Sequence, residues 1–181
     1  MAELVRWEIA EPSEGPRGLD DRMRLALPSV SRRLARRVMS MPAGSRLRTA
    51  ALTSSVRTYF AANNRNDYEV MLAGVHPDVE LIPPGRGRGG LGFAEMYRGP
   101  DGMREFIEQW KAGFSEFRYE PREIADPGGP RFAVRVGMIG RFAGSGGEVR
   151  DEYGGVSIIE DGMLRRAENF FDWNEALRAL G

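Results

Sequence analysis

Two runs with the alternation of β-strands lie on either side of the Asp161-Gly162 dipeptide near the end of the chain. This dipeptide favours the tight turn of a β-hairpin, because both turn positions accept positive φ angles. If Glu160 pairs with Met163 across the turn, side chains two residues apart share a face. One face then carries Glu152, Gly154, Val156 and Ile158 opposite Phe171, Asn169, Ala167 and Arg165. This face is the more apolar towards its middle, so the sequence predicts that it faces inward.

The other face of the hairpin carries Arg166 and Glu168, which lie opposite Ser157 and Gly155 in this register. We interpret this pair as a salt-bridged surface or dimer contact. A β-bulge in either strand would turn the pair inward, because one extra residue reverses the alternation of side chains.

The rest of the chain predicts helices first and strands later. Apolar spacing and cap residues predict a helix capped by Ser29, a helix over about residues 46–63, a short helix from Asp67 to residue 73, and a helix over residues 102–114 capped by Asp101. Strands are predicted at residues 79–82, 117–125 and 132–142, a mobile loop over the Gly- and Pro-rich residues 83–92, and a short helix at residues 174–180. This order indicates an α+β fold, a curved antiparallel sheet wrapped around helices. The hollow of such a sheet is the default site for a ligand.

Composition narrows the possible chemistry. The 181 residues suffice for one domain with a sizeable core, and the formal net charge of zero gives no field that would attract nucleic acid. There is no cysteine and only one histidine, His76, so we expect no disulfide, no metal site and no cofactor. No apolar run approaches the roughly 20 residues that span a bilayer, and no signal-peptide pattern is visible. We therefore expect a soluble cytoplasmic protein.

The first 45 residues differ in composition from the rest of the chain. Residues 1–20 are predicted to be a loose arm, and residues 22–48 contain eight arginines and no acid. The helix capped by Ser29 would carry Val30, Leu34, Val38 and Met41 on one stripe. This helix could contact an anionic membrane, but we favour packing on its own domain or on a partner subunit, with solvated arginines. We therefore divide the chain into an extension, residues 1–45, and a domain, residues 46–181.

Four stretches in order resemble a known family. They are residues 62–67, 76–80, 97–102 and 161–172, within a resemblance that covers about residues 46–180. The sequence resembles the nuclear transport factor 2-like superfamily, and most closely its SnoaL-like branch. The resemblance implies a cone of curved antiparallel strands and three helices, with an internal pocket and a homodimer formed through the sheet. Members include polyketide cyclases, ketosteroid isomerases, limonene epoxide hydrolases and binding proteins without chemistry.

The catalytic patterns of these relatives are incomplete in this chain. Tyr59 falls where ketosteroid isomerases place a tyrosine as an oxyanion donor, but their base would fall near Ile82. Arg135 matches the arginine of limonene epoxide hydrolases, whose two aspartates would fall at Gly137 and Asn169. The acid/base aspartate of the cyclases also aligns to Asn169, and an amide cannot act as a general base.

The hairpin itself offers a further candidate. Glu152 would lie near Asn169 on the predicted inner face, where desolvation would raise the pKa of its carboxyl group and allow proton transfer. We therefore predict Glu152, Tyr59 and Asn169 as catalytic residues. Candidate substrate-binding residues are Trp110, Phe106, Phe171 and Arg135.

Two functional hypotheses remain open from the sequence. The first is a metal-free isomerase, cyclase or hydrolase that acts on a hydrophobic small molecule. The second is a non-catalytic ligand-binding or dimeric assembly module on the same fold. A buried carboxylate beside an aromatic wall would favour the first hypothesis.

Overall fold

The computed structural model describes residues 4–10, 15–85 and 92–181. In chain order the elements are β1 (Val5–Glu8), α1 (Leu19–Ala26), α2 (Pro28–Met39), α3 (Arg46–Asn64), α4 (Tyr68–Leu72), β2 (Val75–Ile82), β3 (Tyr97–Arg98), α5 (Gly99–Ala112), β4 (Phe114–Asp126), β5 (Arg131–Phe142), β6 (Glu148–Glu160), β7 (Met163–Phe170) and α6 (Trp173–Leu180). Residues 86–91 of the predicted loop lie outside the described residues.

The strands form one curved, unclosed sheet of seven strands in the order β1-β4-β5-β6-β7-β2-β3. All described neighbours pair antiparallel except β2 and β7, which are parallel. Helix α3 packs its buried Leu52, Val56 and Phe60 against β4 and β5 on the concave face. Full burial of such side chains stabilises the fold by about 1.5–3 kcal/mol each. The predicted α+β architecture is therefore confirmed.

The last hairpin departs from its predicted register. Its turn is as predicted, because Asp161 and Gly162 have φ angles of 52° and 76° and Glu160 pairs with Met163. The register then shifts between Ile159, which pairs with Leu164, and Ile158, which pairs with Arg166. The extra residue in β7 is a β-bulge, and it reverses the faces of the two strands relative to each other.

The bulge decides which side chains face inward. The side of β6 that faces the helices carries Gly155, Ser157 and Ile159, opposite Asn169 and Ala167 of β7. The prediction that Glu152, Val156 and Ile158 face inward was therefore wrong. Val156 instead packs under α6, in a small outer cluster with Trp173, Ala176 and Leu180.

Arg166 and Glu168 stay on the outer face, as the sequence predicted. The Arg166 guanidinium donates hydrogen bonds to Glu168 and to Glu80 of β2, each at 3.2 Å. Ala167 and Asn169, which alternate with them along β7, line the interior. The bulge therefore changed which side chains of β6 face inward and left Arg166 and Glu168 on the outer face.

The N-terminal region is more ordered than the sequence suggested. Residues 5–8, predicted as part of a loose arm, form the edge strand β1, which pairs with the end of β4. Helix α2 begins at Pro28 rather than after a Ser29 cap, because the fixed φ of proline suits the first turn of a helix. In the predicted stripe, Val30 and Leu34 are 51% and 54% exposed, and Val38 is buried.

Of the two aspartates predicted as helix caps, Asp67 is confirmed and Asp101 is wrong. Asp67 caps α4 as predicted, accepting a hydrogen bond from the Val70 N–H at 3.3 Å. Asp101 does not cap α5, because that helix starts earlier, at Gly99, with Arg98 at the cap position and Pro100 in the first turn. Asp172, which the sequence analysis did not single out, caps α6 through the Glu175 N–H at 2.9 Å.

A buried ion pair fixes α2 to the sheet. The side chains of Arg48 on α3 and Asp126 on β4 have no exposed surface and are joined by two hydrogen bonds of 2.7 and 2.8 Å. Arg48 also donates to the carbonyl oxygens of Met39 at 2.8 Å and Gly129 at 2.7 Å. The arginines of α2 (Arg32, Arg33, Arg36 and Arg37) are exposed, as predicted for that helix. Arg48 of α3 is instead buried and binds the end of α2.

Candidate functional site

A cavity of about 350 Å³ lies between the concave face of the sheet and the helices. It exists because the sheet presents small side chains there, with Gly155 and Ser157 on β6 and Ala167 on β7. A Cβ on Gly155 would lie only 3.2 Å from the Asn169 Oδ1. Had Val156 and Ile158 faced inward as predicted, they would have occupied part of this space.

The remaining walls are mostly apolar. Further wall residues are Val134 and Val136 from β5, Leu52 and Val56 from α3, and Met103, Phe106 and Ile107 from α5. Helices α1 and α2 form the roof, with Met23, Leu34, Ala35 and Val38. The N-terminal region predicted as an extension thus closes the cavity.

Tyrosine side chains supply the polar groups at the inner end of the cavity. Tyr59 of α3, Tyr119 of β4 and Tyr153 of β6 all line it, and the Tyr119 and Tyr153 rings lie 6.1 Å apart. Burial raises the pKa of each hydroxyl, and only for Tyr59 does a hydrogen bond, from Asn63, partly oppose the rise in pKa. All three phenols are therefore neutral near pH 7 and can donate hydrogen bonds to a ligand oxygen.

Asn169 lies where the main cavity meets a small side pocket. Its Nδ2 donates a hydrogen bond of 3.3 Å to the Ile82 carbonyl oxygen. The side pocket is also lined by Phe106 and Trp110. The indole N–H of Trp110 is buried and has no hydrogen-bond partner among the described residues. This end of the cavity can thus supply an amide oxygen and an indole donor.

Charged groups lie at the helical end of the cavity. Asp20 and Arg24 of α1 and Arg32 of α2 all line it. The Asp20 carboxylate accepts a hydrogen bond from the Ser54 hydroxyl. Burial lowers the pKa of the half-buried Arg24 guanidinium, although the nearby Asp21 and Asp20 carboxylates raise it. No sequence pattern distinguishes Arg24 from the seven other arginines of residues 22–48.

The structure brings together only part of the predicted site. Tyr59, Asn169 and Phe106 line the main cavity, and Trp110 lines the adjoining side pocket. Phe171 follows the end of β7 and is 42% exposed, outside the cavity wall.

Glu152 and Arg135 lie together on the outer face of the sheet. The Arg135 guanidinium donates hydrogen bonds of 2.7 and 3.1 Å to the Glu152 carboxylate. The predicted placement of Glu152 inside the hollow was therefore wrong, because the bulge in β7 places the opposite face of β6 towards the helices. Gly137, which pairs with Glu152 across β5 and β6, shares this outer position, since a Cβ there would meet Arg122.

The described residues contain neither a metal-binding cluster nor a membrane-spanning helix. No group of three or more histidine, aspartate or glutamate side chains is arranged to hold a metal ion in residues 4–10, 15–85 and 92–181. In the same part of the chain, no helix combines the length and apolar character that crossing a membrane requires.

The cavity inside an unclosed cone of strands places the protein among the nuclear transport factor 2-like proteins. The sequence profile described as the SnoaL-like domain matches residues 56–167, which is more than half of the chain. The chain therefore belongs to the SnoaL-like family, as the resemblance indicated. Helices α1 and α2 lie outside the matched residues. No curated protein matches the chain.

Solved structures of similar proteins agree with this assignment. TerC, co-crystallised with polyporic acid, is 28% identical with a TM-score of 0.56, and the match covers 70% of this chain and 95% of TerC. An NTF2-like protein of unknown function from Burkholderia pseudomallei K96243 is 27% identical, with a TM-score of 0.56 and coverage of 70% and 95%. A putative polyketide cyclase from Sinorhizobium meliloti is 25% identical, with a TM-score of 0.50 and coverage of 63% and 91%.

Proposed function

We propose that the protein binds a hydrophobic small molecule with oxygen acceptors in the cavity between the sheet and helices α1 to α3. The observation that carries this proposal is the cavity itself, whose volume of about 350 Å³ is within the range of roughly 300–1,000 Å³ for ligand pockets. Such pockets combine apolar walls with a few polar groups that orient the ligand.

The polar groups of the cavity suit a ligand oxygen. Tyr119 and Tyr153 are held against each other and stay protonated, so their hydroxyl groups can donate hydrogen bonds. The similarity to TerC, which was co-crystallised with polyporic acid, supports a ligand of this kind. Polyporic acid is therefore a reasonable first compound to test.

The cavity favours binding over acid/base turnover. Among the described residues that line it, Asp20 is the only carboxylate, and it is hydrogen-bonded to Ser54 near the helical end. The tyrosines are weak acids with raised pKa values, so they can stabilise a developing oxyanion but cannot serve as bases near pH 7.

A cyclase or isomerase is the second candidate. The observation that favours it is the tyrosine cluster, which resembles a set of oxyanion donors. The homodimer through the sheet and the cytoplasmic location also stay predictions.

A cavity-filling variant tests the proposal. Ser157 lines the cavity, so Ser157→Phe should fill the ligand space, whereas Ser115→Phe adds the same side chain at an exposed position. We expect the full-length protein to bind N-phenyl-1-naphthylamine, a neutral hydrophobic probe that fluoresces when bound, and polyporic acid. Ser157→Phe should weaken both at least tenfold, which corresponds to about 1.4 kcal/mol.

The control variant should bind as the wild type does. Ala35→Phe, which fills the cavity from α2, provides a second variant if Ser157→Phe does not fold, as judged by circular dichroism. Equal binding by wild type and both filled variants would place the ligand elsewhere. Failure of the wild type to bind either compound would also overturn the proposal.

A further inference from the structure

We infer that the ligand is a hydrophobic anion and that Arg24 binds its negative charge at the helical end of the cavity. This inference rests on the proposed function and narrows it to one chemical class, amphipathic acids such as carboxylates and acidic enols. It assigns a binding role to α1, which lies outside the residues that match the SnoaL-like domain.

The backbone around Arg24 leaves room for its guanidinium. A Cβ on Gly74 would lie 3.3 Å from the Arg24 Nη1, so any side chain at position 74 would press on the guanidinium. Gly74 does not have a positive φ angle, so its backbone conformation does not require glycine. The glycine thus makes space for the Arg24 head group at the cavity wall, which both residues line.

Among the described residues, the Arg24 guanidinium has no hydrogen-bonded or ion-paired partner. The nearest acids are engaged elsewhere, since Asp21 binds Arg65 at 3.1 Å and the Gly18 N–H at 2.8 Å, and Asp20 binds Ser54. A half-buried guanidinium is stabilised when it forms charge-assisted hydrogen bonds to an anion.

The remaining cavity suits the apolar body of such a ligand. Gly74 accepts the Leu164 N–H at 2.9 Å, so Arg24 lies near the start of β7. Asn169, beside the tyrosines, lies at the other end of that strand, roughly 15 Å further along. The walls between these ends are mostly apolar. The ligand therefore has its acid at one end and oxygen acceptors at the other.

The charged side chains around the cavity determine whether an anionic or a cationic ligand is preferred. Arg32 also lines the cavity and is exposed, and Asp20 is the one described carboxylate in the cavity wall. Among the described side chains that line the cavity, two guanidinium groups and one carboxylate give its helical end an excess of positive charge. Asp21, which also acts on Arg24, is paired with Arg65. An anionic ligand is thus attracted to the helical end, and a cationic ligand is repelled.

A matched pair of probes isolates the charge. The anion 8-anilino-1-naphthalenesulfonate is N-phenyl-1-naphthylamine with one added sulfonate, so the two report the same apolar contacts with and without a negative charge. We expect Arg24→Met to weaken the sulfonate probe at least tenfold and to change affinity for the neutral probe less than twofold. Arg24→Lys should retain part of the preference, because it keeps the charge but not the planar head group.

Arg22→Met is the matched control, because Arg22 is an exposed arginine on the same helix. It removes the same charge and should change neither affinity by more than twofold. If Arg24→Met does not fold, Gly74→Val, whose side chain would crowd the guanidinium, should selectively weaken the sulfonate probe.

The outcomes separate this inference from the proposed function. Equal losses for both probes, or no loss for either in Arg24→Met and Gly74→Val, would overturn the role of Arg24 while leaving the cavity as the binding site. A Ser157→Phe variant that still binds both probes as the wild type does would instead overturn the proposed function.

Discussion

Replacing Arg48 with methionine removes the guanidinium that joins α2, α3 and the sheet, and retains most of its apolar stem. Asp126, which is fully buried, would then keep the Gly128 N–H at 2.9 Å as its remaining described side-chain partner. Breaking a buried ion pair by removing one partner costs about 3–5 kcal/mol, and each carbonyl left without a donor adds about 1 kcal/mol. The carbonyl groups of Met39 and Gly129 lose such a donor. We therefore expect a loss of about 5–7 kcal/mol.

Equilibrium urea unfolding followed by circular dichroism measures this loss. A destabilisation of this size corresponds to a fall in melting temperature of roughly 10–25 °C for a chain of this length. Arg46→Met, at an exposed position one half-turn earlier, should change stability by less than about 0.5 kcal/mol. Adding Asp126→Leu to Arg48→Met should restore part of the loss, because the unpaired carboxylate is gone. A loss below about 1 kcal/mol for Arg48→Met would show that this buried ion pair does not hold α2, α3 and the sheet together.

Three further predictions concern the roof, the tyrosines and the outer face. Gly162→Ala should expose α2 to hydrogen exchange, because the new Cβ would lie 2.1 Å from an α2 carbonyl oxygen and the backbone at position 162 has a φ of 76°. Gly146→Ala is the control: position 146 has a φ of 68° but open space around it, so α2 should stay protected. Burial raises the pKa of the Tyr119 hydroxyl, so above about pH 10 the unfolded chain releases a proton that the folded protein keeps. The free energy of unfolding should therefore fall as the pH rises above about 10. In urea unfolding at each pH, Tyr119→Phe should lose less stability than wild type between about pH 9 and about pH 11, and an equal loss would contradict this. Glu152→Gln should leave affinity for N-phenyl-1-naphthylamine within twofold, and a tenfold loss would show that the outer face takes part.

Much of the fold could be predicted from local patterns. The helix over residues 46–63, the Asp67 cap and the Asp161-Gly162 turn depend on side chains near in sequence, and the structure contains all three. The strand at residues 5–8 was missed, because its place is set by pairing with the distant end of β4.

The candidate site was harder to predict, because it depends on one residue of register. The bulge leaves Arg165 without a partner in β6, and its guanidinium instead binds the Asp78 carbonyl group of β2. No local pattern signals such a contact, so β6 was placed with Glu152 rather than Tyr153 towards the interior. Tyr59 and Phe106 were placed correctly, because helical spacing fixes their faces without reference to a partner strand.

Arg24 could not be identified from sequence for a related reason. Its role follows from the space above Gly74 and from the engagement of nearby acids with other groups, which are properties of the packed structure.

The most direct test is a crystal structure of the full-length protein with bound 8-anilino-1-naphthalenesulfonate. We predict that its rings lie between α2 and the Ser157 side of β6, with the sulfonate within about 3 Å of the Arg24 guanidinium. Density for the probe only on the outer face, beside Glu152 and Arg135, with an empty cavity, would contradict the account.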